Sequence, residues 1–152
     1  AGRCNMPLVI QDYCRETGQD VPEGPAEILR LVTDSLAMKI RFVLERLEEV
    51  IGYRIEVLHI IGGGGQNDQL NKSIASSINR PVVVGPYEAT AAGNVMIQKV
   101  ALDGLRSLGE GRDLIGESFQ TRRFEPAHPD DWATAYVRFR NLLNCDSGGF
   151  SS

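Results

Sequence analysis

Of the 152 residues, 42% are hydrophobic and 24% charged, which is ordinary globular usage and enough apolar material for one sizeable core. A formal net charge of −4 and a pI near 5.2 argue against a nucleic-acid partner, which needs clustered Lys and Arg. No apolar run approaches the roughly 20 residues of a bilayer span, and the N-terminus lacks the layout of a secretory signal, so a cytoplasmic chain with no membrane partner is expected.

From the N-terminus, Met6, Ile10, Tyr13 and Cys14 recur at near-helical spacing between Asn5, a capable N-cap, and Thr17. Pro7 falls in the first turn and Gly18 ends the helix. Residues 18–24 are turn formers, and Pro25 favours a new start. From Ala26 to Val50 the apolar positions Ile28, Leu29, Val32, Leu36, Ala37, Ile40, Val43, Leu44 and Leu47 recur every three or four residues and predict a long helix closed by Gly52. Arg30, Asp34, Lys39, Arg41, Glu45, Arg46, Glu48 and Glu49 fall largely off that stripe and are expected to form its solvated face.

Ile55 to Ile61 is β-branched and aliphatic and predicts a buried strand running into four glycines. Leu70, Ile74, Ala75 and Ile78 mark a short helix over Asn67–Ile78; Pro81 to Val84 reads as a second buried strand, ended by Gly85-Pro86. A further helix runs from about Glu88 to Leu102 or Leu105. This alternation predicts the α/β class, with helices covering a small parallel sheet. Asp103 to Glu117, broken by glycines, reads as a connection with room for a short helix. Trp132, Tyr136, Phe139 and Leu143 mark one face of a last helix starting near Asp130. Residues 146–152, rich in Gly and Ser, read as a flexible tail after a single domain over 1–145.

Cys4, Cys14 and Cys145 form no CxxC pair and have no His cluster beside them, so they are read as reduced structural thiols. His59 and His128 are far apart in sequence and next to no paired carboxylate. No catalytic or metal-ligating residue is assigned within the chain.

The sharpest local feature is His59-Ile60-Ile61-Gly62-Gly63-Gly64-Gly65-Gln66-Asn67, a strand emptying into glycines and a polar pair at a helix start. Glycines there let a ligand approach the backbone with no Cβ in the way. The helix start offers unpaired N–H groups, and Gln66 and Asn67 can donate and accept at a purine or ribose edge. The turn is not a P-loop, because Gln66 and Asn67 stand where Lys and Ser or Thr are required. Nor is it the dinucleotide fingerprint, which would need Gly at position 67 or 68, where Asn67 and Asp68 stand. A glycine turn can also be merely a tight connection. The second feature is Gly85-Pro86-Tyr87-Glu88-Ala89, followed by the small residues Thr90 to Gly93 and then Asn94 and Gln98. Glu88 suits the N-terminus of the helix that follows.

Together, in this order, the two segments resemble the C-terminal signature of the FGGY carbohydrate kinases and, within that family, its rhamnulokinase branch. Ser35-Leu36-Ala37 and Cys14-Arg15-Glu16-Thr17-Gly18 add to the likeness, which extends over about residues 5 to 143. The resemblance implies part of an actin-like, ribonuclease H-like ATPase fold, with ATP and its magnesium bound by this lobe and the sugar held mainly by another. It implies nucleotide-binding roles for Gly62, Gly63 and Asn67, with Gly64 and Gln66 beside them. The reaction implied is transfer of the ATP γ-phosphate to a ketose such as L-rhamnulose. The Asp that takes the sugar hydroxyl proton belongs to a segment before residue 1, so the chain alone is expected to be inactive. The rival reading is a non-catalytic nucleotide-binding or interaction module on the same actin-like half. The family's sheet also implies that the strand at Ile55–Ile61 presents an open edge when the chain is isolated, from which two-fold self-association is expected.

Overall fold

A computed structural model describes residues 5–85, 89–102, 104, 107–118 and 121–147. Helix α1 spans Met6–Glu16 and α2 spans Pro25–Ile51. Pro25 sits in the first turn of α2, and Gly52 ends it in the left-handed conformation at φ 77°, donating its N–H to the Glu48 carbonyl at 2.8 Å. Then come β1 (Leu58–Ile60), a 3-10 turn (Gly63–Gln66), α3 (Asp68–Ile78) and β2 (Val82–Val84). Helices α4 (Ala89–Ala101) and α5 (Leu108–Ser118), strand β3 (Arg122–Phe124) and helix α6 (Pro129–Ser147) follow.

The α/β class agrees with the sequence reading, but the sheet is mixed rather than parallel. Its order is β1-β2-β3, with β1 parallel and β3 antiparallel to β2. In register, Leu58, Val82 and Phe124 lie side by side, as do Ile60, Val84 and Arg122. Alternation puts Leu58, Ile60, Val82, Val84 and Phe124 toward the core and turns His59 and Arg123 outward. Strand β1 is shorter than the Ile55–Ile61 run suggests. Ile55 is held instead by side chains: its N–H donates to Glu48 at 2.6 Å and its carbonyl accepts from Arg80 at 2.8 Å. Among the described residues β1 is an edge of the sheet.

The core joins Ala37 and Leu44 of α2 to Ile74, Ala75 and Ile78 of α3 and to Val82 and Val84, with Trp132 and Phe124 packed against it. Each fully buried aliphatic side chain contributes about 1.5–3 kcal/mol. The apolar stripe of α2 is wider than the core can cover, and Leu29, Leu36, Val43 and Val50 stay exposed among the described residues. One expectation for α2 needs correction, that of a solvated charged face. That face is only partly solvated. Asp34, Arg41, Glu45 and Glu48 are half-buried and tie α2 to its neighbours. Asp34 accepts from Ser73 of α3 at 3.0 Å. Arg41 donates to the Ser77 carbonyl at 3.0 Å and lies 4.0 Å over the Tyr136 ring of α6. Tyr136 donates to Glu45 at 2.6 Å. Burial, and then that bond, push the Tyr136 hydroxyl well above the ordinary phenol range.

The stretch expected as a connection with room for a short helix carries α5, an 11-residue helix that runs past it to Ser118. Helix α6 runs through Ser147, past the boundary expected at residue 145, because no helix-breaking glycine occurs before Gly148. The tail from 148 onward and the expected role of Glu88 lie outside the described residues. No described helix is long and apolar enough to cross a membrane.

Candidate functional site

Two parallel strands end side by side, and their carboxyl ends are where open α/β sheets bind ligands. The glycine turn follows β1 and Gly85 follows β2. The two exits are joined where the Gly85 N–H donates to the Ile60 carbonyl at 2.8 Å.

Within the turn the four glycines do different work. Gly62, at φ 80° and ψ −164°, occupies a region essentially restricted to glycine. Gly65 is buried, and a Cβ there would lie 2.4 Å from Val84 Cγ1, which no real structure tolerates. Gly63 and Gly64 are exposed at φ values that other residues adopt, and a Cβ on either would meet nothing within 4 Å. Nothing among the described residues therefore requires glycine at 63 or 64. Their bare backbone lies beside the strand ends.

The polar pair divides in the same way. Gln66 is exposed. Asn67 is the N-cap of α3: its Oδ1 accepts from the Leu70 N–H at 3.0 Å, which leaves its amide NH₂ to face outward contacts. With this cap in place and Asp68 in the first turn, the helix end is already supplied with acceptors and negative charge. The start of α3 is thus less suited to an anion than the sequence suggests.

Two residues that sequence reasoning missed complete the turn. Asn71 of α3, fully buried, donates from Nδ2 to the Gly65 carbonyl at 2.9 Å. Arg122 of β3 donates from Nη2 to the same oxygen at 2.6 Å, and its Nη1 pairs with Asp68. Asn71 lay inside a helix read only for its apolar face, and Arg122 lay in a strand with no alternating apolar signal. His59 is exposed on the outer face of β1, and no group of His, Cys, Asp and Glu among the described residues could hold a metal ion. Cys14 is a buried free thiol.

Comparison with known proteins places this geometry in a lineage. A rhamnulokinase of Bacteroides thetaiotaomicron is 43% identical over 143 residues, covering 94% of this chain and 30% of the relative. A rhamnulokinase of Lactiplantibacillus plantarum is 40% identical over 122 residues, 80% of this chain and 25% of the relative. The chain thus spans less than a third of the length of these curated relatives. The crystal structure of xylulose kinase from Rhodospirillum rubrum superposes with a TM-score of 0.67 over 84% of this chain and 26% of that one, at 17% identity, which supports the actin-like fold. The model of the FGGY family of carbohydrate kinases, C-terminal domain, matches residues 3–102, and the chain belongs to that family.

Proposed function

We propose that this chain is the ATP-binding C-terminal part of a carbohydrate kinase that transfers the γ-phosphate of ATP to a ketose, L-rhamnulose first among candidates. The observation that carries the reading is the pair Gly63 and Gly64, two glycines at the strand ends that no contact among the described residues requires. A nucleoside lying on Gly62, Gly63 and Gly64, with Gln66 and the Asn67 amide at its edge, accounts for them. The local charge supports the adenosine end rather than the phosphates, because Asp68 and Arg122 offset each other beside the turn. Magnesium would arrive with the nucleotide and would supply charge neutralisation at its phosphates; none of the described residues is assigned to hold it. The names of the relatives support L-rhamnulose as acceptor.

In this reading residues 1–145 act as one nucleotide-binding domain of a cytoplasmic enzyme. The sugar and the Asp base belong to the rest of the full-length protein, and the isolated chain turns over no sugar. The full-length protein, assayed with L-rhamnulose, L-fuculose and D-xylulose in parallel, is expected to consume ATP fastest with L-rhamnulose. No ATP consumption with any of the three would refute the kinase reading.

The site residues have their own test. Replacing Gly63 by Val places a branched side chain where the nucleoside approaches, and loss of nucleotide binding with an unchanged melting temperature is expected. Titration of the isolated chain with ATP and with adenosine should give similar, weak affinities for the parent. A Gly63→Val chain that binds like the parent would reduce the turn to a connection.

A further inference from the structure

The glycines proposed to meet the nucleoside have no side chains of their own to fix them, so their position is inherited from Gly65. Gly65 is held on several sides, and its own N–H donates to the Gly62 carbonyl at 3.1 Å. Its Cα packs against Val84, and its carbonyl oxygen, with two lone pairs, accepts from two donors on different elements. The Asn71 donor is fully buried in α3, whereas the Arg122 side chain is 36% exposed and comes from β3. Register puts Arg122 beside Val84, so guanidinium, valine and glycine meet at the same end of the sheet. The planar fork of an arginine can serve two acceptors at once. Here it joins the Gly65 carbonyl to Asp68 in the first turn of α3, bridging the turn, the helix that follows it and a strand more than fifty residues on.

We infer that Arg122 is a positioning residue for nucleotide binding: it clamps the glycine turn in the shape that presents Gly63 and Gly64. It does so without touching the ligand. This inference rests on the reading that the nucleotide lies on the turn. Because Arg122 acts on the part of the site facing the nucleoside, its loss weakens adenosine and ATP by the same factor. A direct contact with phosphate would weaken ATP alone.

The test titrates ATP and adenosine into the full-length protein and into its Arg122→Gln, Arg122→Lys and Gly63→Val variants, with a thermal melt of each. Arg122→Gln is expected to bind both ligands about tenfold more weakly, the size of one charge-assisted hydrogen bond, with its melting temperature little changed. Arg122→Lys should fall between it and the parent, since an ammonium keeps the charge and loses the fork. Parent-like binding of both ligands by Arg122→Gln, with Gly63→Val impaired, would overturn the clamp and leave the nucleotide reading standing. Parent-like binding by Gly63→Val would overturn that reading and the clamp with it. A loss confined to ATP, or a loss that only tracks the unfolded fraction, would also overturn the clamp. If Arg122→Gln does not fold, Arg122→Lys decides: parent-like affinity for both ligands refutes the inference.

Discussion

A single methyl group added at Gly65 is expected to destabilise the chain by about 1–3 kcal/mol, while the same change at Gly63 leaves its stability close to the parent's. The new Cβ at 65 would stand 2.4 Å from Val84 Cγ1, so one of the two must move. Neither moves freely. Val84 is 1% exposed, its β-branched side chain has few rotamers, and its backbone is paired on both sides, to Ile60 and to Arg122. The Gly65 carbonyl is held by Asn71 and Arg122, so the turn cannot lift without giving up both bonds. At position 63 the added Cβ meets nothing within 4 Å. Urea denaturation of Gly65→Ala and Gly63→Ala, side by side, checks the contrast. Equal midpoints would mean that the packing of the turn on Val84 is wrong.

Removing the Glu48 carboxylate is expected to cost about 3 kcal/mol, the scale for breaking a largely buried ion pair. The side chains of Glu48 and Arg80 are only 16% and 12% exposed. The pair is bidentate, with one of its two bonds at 3.1 Å, and Glu48 also accepts the Ile55 N–H. A Glu48→Ala chain leaves the guanidinium without its counter-charge, with only the Ile55 carbonyl as acceptor, and leaves the Ile55 amide without its acceptor. Hydrogen bonds from Arg80, then from the Ile55 N–H, hold the Glu48 carboxyl below the ordinary carboxylate range against the opposing effect of burial. Since its folded pKa is depressed, the stability it supplies is complete above the unfolded carboxylate pKa, about 4.3, and is lost as pH falls through the folded value. The stability gap between the parent and Glu48→Gln should therefore hold at neutral pH and close on acidification through that window. A gap that does not change with pH would refute the assignment.

Helix ends were legible wherever a residue dictates backbone shape, as Pro25 and Gly52 do for α2. The β1-turn-α3-β2 order was legible too, because Ile55–Ile61 and Pro81–Val84 are dense β-branched and aliphatic runs bounded by glycine. Strand β3 was not. Arg122-Arg123-Phe124 has no apolar alternation, and only pairing with Val82–Val84, far off in sequence, makes it a strand. Glycines at 109, 111 and 116 similarly masked α5. Within the site, the sequence places four glycines in a row but cannot assign their roles. That division depends on where Val84, Asn71 and Arg122 come to rest. The half-buried charges of α2 were missed for a related reason: their partners Ser73, Ser77, Arg80 and Tyr136 lie on other elements.

The antiparallel placement of β3 has a consequence during synthesis. As the chain leaves the ribosome, Val82-Val83-Val84 can pair with β1 as soon as it emerges, but its other side waits for Arg122 to Phe124. In that interval three consecutive valines present unpaired backbone with no charge among them, the composition that invites pairing with another nascent chain. The strand that ends the wait begins with two arginines, residues that disfavour strand-to-strand aggregation while it is itself unpaired. A released chain truncated between α4 and β3 should therefore yield more chaperone-bound and aggregated product than one that extends through α6.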